Sequence, residues 1–266
     1  MEIKEFQKTI WDFYKNNKRD LPWRNTKDPY KILVSEVMLQ QTQSHRVIPK
    51  YNSFLKKFPT VQTLATASVQ NVLKEWQGLG YNRRALYLKK CAEQIIENFN
   101  GKFPQDFKTL CTLPGIGKAT AGDIMAFAWN LPAMVIETNI RSVFIHFFFQ
   151  DKEKVSDAEI MPLIEATLDQ QNPREWYWAL FDYGADLKKN MANPSRKSKH
   201  YARQSTFVGS LRQKRGAVLK LLLQKPSAAK EIQKVLEYES STVSTILSAL
   251  EKEGFIKNDK GKFYII

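Results

Sequence analysis

The chain contains very few of the residues that build metal sites and disulfides. Its 266 residues include two cysteines, Cys91 and Cys111, and three histidines, His45, His146 and His200. Both cysteines stand in helix-like apolar patterns, and the histidines lie far apart without the spacing of metal ligands. These scarcities exclude a disulfide framework and a thiolate metal site. We therefore expect a reduced intracellular protein with no metal and no cofactor.

Long hydrophobic runs are also absent. No apolar segment approaches the ~20 residues that a membrane-spanning helix needs, and the N-terminus lacks the apolar core of a signal peptide. Apolar residues still make up 43% of the chain, which is enough for a substantial core. We expect a cytoplasmic, nucleoid-associated monomer that does not enter a membrane.

Acidic residues are too few to balance the basic ones. Lys and Arg number 41 against 27 Asp and Glu, which gives a formal net charge of +14 at pH 7. Such a surplus is unusual for an enzyme of small metabolites. It favours a polyanionic partner, with nucleic acid as the first choice and an anionic membrane surface as the second.

The periodicity predicts a mainly α fold with two domains. Apolar residues recur at spacings of three and four through most of residues 1–205, and alternating strand patterns are scarce before the last dozen residues. This helical body includes a hairpin at about 106–129. A basic connector rich in Lys, Arg, Ser and Asn occupies about 187–215, and we expect it to lie on a phosphate backbone. Residues 216–266 form the second domain.

The second domain has the pattern of a winged helix. Three amphipathic helices precede two short strands around an Asn258–Gly261 turn, and Ser240–Leu250 would be the recognition helix. The residues that would contact DNA are Ser241, Thr242, Lys257 and Lys260. The hydroxyls could instead cap the helix, and winged helices also dock proteins. Both interpretations stay open.

The segment Leu113–Gly122, with the sequence LPGIGKATAG, is the most informative motif. Gly115 and Gly117 can adopt the positive φ of a sharp turn between two helices. They also leave backbone N–H groups bare at the start of the next helix, where the helix dipole favours an anion. With Lys118, these amides would hold one nucleic-acid phosphate without reading a base. The residues predicted to bind phosphate are Gly115, Ile116, Gly117, Lys118 and Thr120.

Two carboxylates flank this hairpin in sequence. Glu36 lies in an apolar helix, where it would be either a general acid with a raised pKa or a partner of Arg24 or Arg46. Glu137 heads the helix after the hairpin, where it would be either catalytic or a first-turn acid that complements the helix dipole. A pair of carboxylates beside a phosphate site suits cleavage of a glycosidic bond to a flipped-out base.

At this point the residues resemble a known family, the helix-hairpin-helix base-excision DNA glycosylases of the HhH-GPD type, and within it the MutY-type adenine glycosylases. The similarity runs in family order and spacing over roughly residues 1–190. The matching segments are Leu21–Arg24, Ser35–Thr42, Phe58–Thr60, Trp76–Tyr81, Gly101–Pro104, Leu113–Gly117, Thr120–Gly122 and Asp182–Ala185. The resemblance implies a two-lobed, all-helical glycosylase fold that binds double-stranded DNA with a damaged or mispaired base.

The resemblance also implies roles for single residues. Glu36 matches the acid that protonates the purine, and Asn139 matches a catalytic asparagine beside the second carboxylate. The residues implied in recognition of the base or lesion are Arg24, Gln41, Tyr81, Asn82 and Ala119. Bifunctional relatives carry a catalytic lysine at the position of Ala119, so no Schiff-base nucleophile and no lyase step are expected.

Several departures from the family pattern bear on function. Glu137 occupies the position of the catalytic Asp, and its extra methylene moves the carboxylate by ~1.5 Å, a misplacement that can cost a hundredfold in rate. Asn82 replaces a tyrosine. Lys188, Ser195 and Ser198 stand at or near cysteine positions of the family's iron–sulfur cluster, so no such cluster is expected. The winged-helix-like tail stands where the family has a domain that reads 8-oxoguanine.

These observations predict a monofunctional DNA glycosylase that releases a purine, either mispaired adenine or deaminated adenine. Two alternatives remain open. One is a glycosylase for another base, such as mispaired thymine. The other is a catalytically decayed protein that binds DNA lesions.

Overall fold

The structure, a computed structural model, describes all 266 residues and contains fourteen α-helices and one small sheet. The predicted mainly α fold is confirmed, because every strand lies in the C-terminal tail. The chain forms two compact units, each assembled from separate stretches of sequence. Unit 1 comprises Met1–Glu36, Pro104–Thr112 and Ile116–Arg203, and unit 2 comprises Val37–Phe103, Leu113–Gly115 and Gln204–Ile266.

Unit 1 is an all-helical body that packs around aromatic side chains. Its helices are α1 (Ile3–Asn17), α7 (Phe107–Leu110), α8 (Lys118–Trp129), α9 (Thr138–Phe148), α10 (Asp157–Thr167) and α11 (Pro173–Asn190), together with the first residues of α2 (Pro29–Leu39). Helix α11 lies between α1 and α9. Phe6, Phe144 and Trp176 are fully buried there, and the ring centroid of Phe6 lies 5.2 Å from that of Phe144 and 6.0 Å from that of Trp176. This packing fixes α9 and α11, the two helices that carry much of the candidate site.

Unit 2 combines a second helical body with the C-terminal tail. Its elements are α3 (Ser44–Lys57), α4 (Val61–Ala65), α5 (Val69–Trp76), α6 (Arg83–Phe99), α12 (Leu211–Gln224), β1 (Ser227–Ala228), α13 (Ala229–Leu236), α14 (Ser240–Lys252), β2 (Ile256–Asp259) and β3 (Lys262–Ile265). The strands form an antiparallel sheet in the order β1-β3-β2. Three helices followed by a hairpin match the predicted winged-helix pattern, with β1 as an added edge strand.

Arg84 organises two loops of unit 2. Its buried guanidinium donates hydrogen bonds to the carbonyl oxygens of Val37, Met38 and Gln40 on one side and to those of Leu79 and Gly80 on the other. Burial lowers the pKa of this guanidinium to about 10. The bonds hold the loop after α2 and the loop before α6 against the first turn of α6.

Three element boundaries differ from the sequence prediction. Gly216, the predicted start of the second domain, lies inside α12, because the residues from Leu211 onward continue that helix. The recognition helix extends to Lys252 rather than Leu250. The first hairpin helix begins at Phe107, where the Asp106 side chain caps it. None of the helices combines the length and the apolar character that a bilayer-spanning segment requires.

Candidate functional site

Three carboxyl groups of unit 1 lie close enough to influence one another. Glu36 comes from α2, Asp123 from the middle of α8, and Glu137 from the start of α9. Repulsion from Glu137 contributes to the raised pKa of Glu36, and both glutamates raise the pKa of Asp123. The structure thus brings together the two predicted carboxylates and adds a third one.

Glu36 lies in a recess of the protein. Its neighbours in α2, Ser35 and Val37, are buried, and Glu36 itself is only partly accessible to solvent. Desolvation is the main cause that raises its pKa to about 8, and the Ser35 hydroxyl donates a hydrogen bond to the carboxylate at 3.4 Å. A carboxylic acid that keeps its proton near neutral pH can serve as a general acid.

The predicted ion pair between Glu36 and Arg24 or Arg46 is absent. The Arg24 guanidinium binds the two carboxylate oxygens of Asp182 at 2.8 and 2.7 Å, and Arg46 donates a hydrogen bond to the Gly78 carbonyl oxygen. Arg24 still lowers the pKa of Glu36 slightly, but this effect is the smallest of those acting on Glu36. Glu36 forms no salt bridge. The interpretation of Glu36 as an ion-paired structural residue is therefore wrong.

Glu137 is the N-cap of α9 and is held by three hydrogen bonds. The backbone N–H groups of Asn139 and Ile140 donate to Oε1 at 2.6 and 3.0 Å, and the Asn139 side-chain amide donates to Oε2 at 3.3 Å. Glu137 therefore caps α9 with its own side chain. Desolvation raises the pKa of Glu137, and these bonds oppose that increase.

Lys188 is the cation with the largest effect on the pKa of this carboxylate. Its ammonium donates a hydrogen bond of 2.8 Å to Asn139 Oδ1, and its charge lowers the pKa of Glu137 more than any other favourable interaction does. Burial lowers the pKa of Lys188 itself, whereas Glu137 raises it. Lys188, Asn139 and Glu137 therefore form a chain of polar contacts from α11 to the head of α9.

Gly184 allows this close approach of α11 to α9. A Cβ at this position would lie 2.5 Å from the Asn139 carbonyl oxygen and 2.7 Å from its Cβ. Both distances are well below van der Waals contact. The glycine of the Asp182–Ala185 motif thus has a direct role in placing Lys188 beside Asn139.

The sequence analysis does not identify Asp123, the third carboxyl group, as a site residue. It is 6% exposed, and its Oδ1 atom has no hydrogen-bond partner. Desolvation, Glu36 and Glu137 together raise its pKa well above the usual range. The available signal was a single acidic residue in the otherwise apolar helix Lys118–Trp129, a position where an unpaired carboxylate is costly.

The predicted hairpin turn precedes α8. Gly115 has φ +79°, as expected, but Gly117 has φ −89° and ψ 177°. Gly117 does not need positive φ because it is the extended N-cap of α8, and it forms no side-chain cap hydrogen bond. Gly117 and Lys118 are exposed, whereas Ile116 and Thr120 are buried, so the backbone at 117–118 is the accessible part of the predicted phosphate site. Ala119 follows in the first turn of α8.

The residues of unit 2 for which the resemblance implies a recognition role lie in two loops, and two of them have positive φ. Gln41 and Tyr81 both have positive φ, of 55° and 46°. Gln41 is exposed at the end of α2, and Asn82 is the N-cap residue of α6 without a side-chain cap bond. The Tyr81 hydroxyl accepts hydrogen bonds from Gln204 and Arg212, two contacts that the sequence did not predict.

The predicted contact residues of the tail are accessible. Ser241, Lys257 and Lys260 are exposed and Thr242 is partly exposed. The suggestion that Ser241 and Thr242 cap the helix is wrong, because Glu239 is the N-cap residue of α14 and makes no side-chain cap bond. The hydroxyls are therefore available to a ligand.

Hydrogen bonds within the protein hold the segment after α11 in place. Asn193 Oδ1 accepts bonds from the Ser195 amide, the Ser195 hydroxyl and the Ser142 hydroxyl. Ser198 pairs with Val155 in an isolated bridge and is 7% exposed. Lys188 and these serines offer an ammonium and hydroxyls instead of thiolates, and no cysteine lies nearby in sequence. The residues present do not fit an iron–sulfur cluster.

A cleft with a volume near 580 Å³ lies elsewhere in unit 1. Its lining includes Arg24 and Trp178 but neither Glu36 nor Glu137. Because the cleft contains none of the three coupled carboxyl groups, we assign the chemistry to the carboxyl cluster and not to this cleft.

Each of the two parts of the chain matches a family model. Residues 34–166, half of the sequence, match the model of the HhH-GPD superfamily base excision DNA repair proteins. Residues 212–258 match the model of the arsR family of bacterial regulatory proteins. The first match contains all three carboxyl groups, and the second covers most of the tail from α12 to β2.

Similar proteins carry names from DNA repair. An adenine DNA glycosylase of Buchnera aphidicola subsp. Baizongia pistaciae is 38% identical over 68% of this chain and 52% of its own length. One from Mycobacterium tuberculosis is 43% identical over 49% of this chain and 43% of its own. A solved thermostable thymine-DNA glycosylase superposes with a TM-score of 0.63 at 28% identity, covering 69% of this chain and 86% of its own. The chain thus spans about half the length of the curated relatives it matches.

Proposed function

Because this chain belongs to the HhH-GPD superfamily of base excision DNA repair proteins, we propose that it is a DNA glycosylase that hydrolyses the N-glycosidic bond of a flipped-out purine in duplex DNA. The purine is mispaired adenine or deaminated adenine. The observation that carries the proposal is that two carboxyl groups of unit 1 influence each other: Glu36, whose pKa burial raises to about 8, and Glu137, which accepts hydrogen bonds from the first-turn amides of α9. Names of the adenine DNA glycosylase relatives support the choice of base.

Glu36 acts first as the general acid. Its pKa of about 8 keeps the carboxyl protonated at neutral pH, so it can donate the proton to a purine ring nitrogen. Protonation lets the base depart as a neutral molecule instead of an anion. A thymine has no equivalent basic ring nitrogen, which is why Glu36 favours a purine.

Glu137 then stabilises the positive sugar. Hydrogen bonds from two backbone amides and the charge of Lys188 favour its ionised form, and a carboxylate facing an oxocarbenium-like centre lowers the barrier. Water adds at C1′ and loses its proton to the ionised carboxylate. The products are the free base and an abasic site, and proton transfer back to Glu36 completes the cycle.

Binding of DNA uses the exposed backbone at Gly117 and Lys118 for one phosphate. In unit 2, the loops that carry Gln41, Tyr81 and Asn82 recognise the target base pair, as the resemblance implies. Ala119 supplies no amine for a Schiff base, so the reaction stops at the abasic site. Hydrogen bonds to Asn193 hold the segment in which the resemblance implies that family members carry an iron–sulfur cluster.

Single-turnover base release tests the proposal. The duplexes carry adenine opposite 8-oxoguanine, guanine or cytosine, hypoxanthine opposite thymine, or thymine opposite guanine, and alkali reveals abasic sites. We expect Glu36→Gln and Glu137→Gln each to lower the rate by at least ~100-fold, a typical contribution of acid–base groups. The exposed Glu97→Gln is the matched control. Cleavage without alkali, or trapping by borohydride, would contradict a monofunctional reaction.

The pH dependence adds a second test. The rate needs Glu36 protonated, so it should fall as pH rises through about 8. It also needs Glu137 ionised, so it should fall as pH decreases through the raised pKa of Glu137. The expected profile is a bell, and Glu36→Gln should remove its alkaline limb.

A glycosylase for mispaired thymine is the second candidate. The likeness to the solved thymine-DNA glycosylase favours it. Release of thymine that survives Glu36→Gln but not Glu137→Gln would establish this activity. Tight binding without release from any duplex would instead indicate a decayed enzyme that only binds lesions.

A further inference from the structure

An exposed apolar turn, residues Phe207–Ser210, leads into α12. Phe207 is 54% exposed and Val208 is 82% exposed, and Leu211 directly after the turn is 53% exposed. The turn is closed by a hydrogen bond of 3.1 Å from the Ser210 N–H to the Phe207 carbonyl oxygen. Gly209 has φ +77°, and its N–H donates to the Gln213 side chain at 2.6 Å. The apolar side chains are thus presented by a turn with a defined conformation.

This apolar turn is attached to Tyr81. The Arg212 guanidinium lies 4.9 Å from the centre of the Tyr81 ring and 5.5 Å from the centre of the Phe207 ring. Arg212 and Gln204 also donate hydrogen bonds to the Tyr81 hydroxyl. Cation–π contacts of this kind stabilise neighbouring segments. The apolar turn therefore lies beside the loop before α6.

The hairpin turn of the phosphate site contacts the same end of α6. A Cβ at Gly115 would lie 2.9 Å from the Tyr87 Cβ. Tyr87 is about 6 Å along the axis from Arg83, the first residue of α6, at 1.5 Å per residue. Within unit 2, the apolar turn and the Gly115 turn thus flank the first turns of one helix.

The charge around the apolar turn matches a polyanion. No acidic residue occurs between Asp186 and Glu231 in the sequence. Arg212 and Lys214 follow the turn and form no salt bridge, whereas the next cation, Arg215, is paired with Glu253. An apolar tip on a basic segment is the arrangement with which proteins insert a wedge between base steps from the minor groove.

We propose that Phe207 and Val208 form an apolar wedge that inserts into the groove of duplex DNA next to the base pair recognised through the Tyr81 loop. This inference rests on the proposed function, because it takes a DNA duplex as the partner. The wedge would partly unstack the duplex and so lower the cost of extruding the base. Neither family match assigns a role to residues 207–208, which lie between the two matched segments.

The test compares two exposed apolar sites. The variant Phe207→Ser/Val208→Ser removes the wedge, and Val235→Ser, which is 53% exposed on α13, is the control. The probe is a lesion duplex with 2-aminopurine beside the target pair, whose fluorescence increases when it unstacks. Each variant is measured in a Glu137→Gln background, which keeps the base in place, and thermal melting verifies the fold.

We expect the wedge variant to bind the lesion duplex about tenfold more weakly and to lose the fluorescence increase, whereas Val235→Ser behaves like the parent protein. The loss should be similar at low and high salt, because an apolar contact releases no counterions. Unchanged affinity and fluorescence would overturn the proposal, as would a loss that vanishes at high salt. A duplex from which the parent protein releases no base, yet which it unstacks through Phe207 and Val208, would refute the enzyme and retain the wedge.

Discussion

At the scale of single residues, the carboxyl cluster has more acids than available cations. Arg24 is bound to Asp182 and Arg141 to Asp157, so Lys188 is the only nearby cation without a carboxylate hydrogen-bonded to it. One ammonium supports one ionised carboxylate in a poorly solvated recess. We infer that Glu137 carries this charge and that Glu36 and Asp123 hold their protons at neutral pH.

The protonated Glu36 has a consequence for stability. Because its pKa is raised from 4.5 to about 8, the folded protein binds this proton more tightly than the unfolded chain. The stabilisation is complete below about pH 4.5 and is lost as pH rises toward 8. Glu36→Gln should therefore raise the free energy of unfolding at pH 8, on the order of 1–2 kcal/mol for this partly accessible group, and change it little at pH 5.

Urea denaturation at both pH values measures this effect, with the exposed Glu97→Gln as control. A Glu36→Gln protein that is less stable than the parent at pH 8 would show that Glu36 is ionised and stabilising there. That result would contradict its assignment as the general acid.

Substitution of Asp123 tests whether this carboxyl group is protonated beside Glu36 and Glu137. If Asp123 keeps its proton, Asp123→Asn leaves the charge of the recess unchanged. The alkaline limb of the base-release profile should then stay where the parent protein has it. An ionised Asp123 would give a different result, because its removal would lower the pKa of Glu36 and move that limb to lower pH. The single-turnover rate as a function of pH distinguishes these outcomes.

The charge of Lys188 should determine the pH at which the acidic limb of the pH–rate profile falls. Lys188→Met removes the charge that lowers the pKa of Glu137, so Glu137 should protonate at a higher pH and the acidic limb should move upward. Lys188→Arg keeps the charge and should largely restore the parent profile. A lower rate at every pH with unmoved limbs would indicate a structural role instead.

At the scale of elements, the contact between α9 and α11 depends on Gly184. Gly184→Ala places a Cβ at 2.5 Å from the Asn139 carbonyl oxygen, so the two helices must separate or Asn139 must shift. Such overpacking costs about 1–3 kcal/mol, and base release should fall because Glu137 and Asn139 move together. In Gly216→Ala the new Cβ meets nothing within 4 Å, and this helical site should gain ~0.5–1 kcal/mol. Equal melting temperatures for both variants would contradict this account of α11.

Features that depend on neighbouring residues could be predicted from the sequence, whereas features that depend on residues distant in the sequence could not. The helices, the Gly115 turn and the tail pattern follow from periodicity and local backbone preference, so the sequence predicted them. The role of Glu137 as the cap of α9 and the extended backbone of Gly117 depend on the residue at which each helix begins, and sequence patterns locate helix ends poorly. Asp123, Lys188 and Arg212 act through Glu36, Asn139 and Tyr81, each of which is more than 40 residues away in sequence. No local pattern contains that information.

At the scale of the whole molecule, the carboxyl cluster and the tail belong to different units, and binding and chemistry should be separable. All three carboxyl groups lie in unit 1, whereas the strands of the wing lie in unit 2. A surplus of +14 charges should attract DNA from many surfaces, so a specific contact by the wing must be distinguished from this general field. Two triple variants with the same charge loss allow that distinction.

The wing variant replaces Lys257, Lys260 and Lys262 with Gln, and the control replaces Lys18, Lys152 and Lys225, which are paired with Glu175, Glu159 and Glu231. Both variants lower the net charge from +14 to +11. If the wing contacts phosphates, the slope of log K against log salt should become shallower by up to ~0.9 for each lost contact in the wing variant alone. The single-turnover rate at saturating protein should stay unchanged, because the wing contributes nothing to the carboxyl cluster. Equal slopes for the two variants would show that the wing attracts DNA only through its contribution to the net charge.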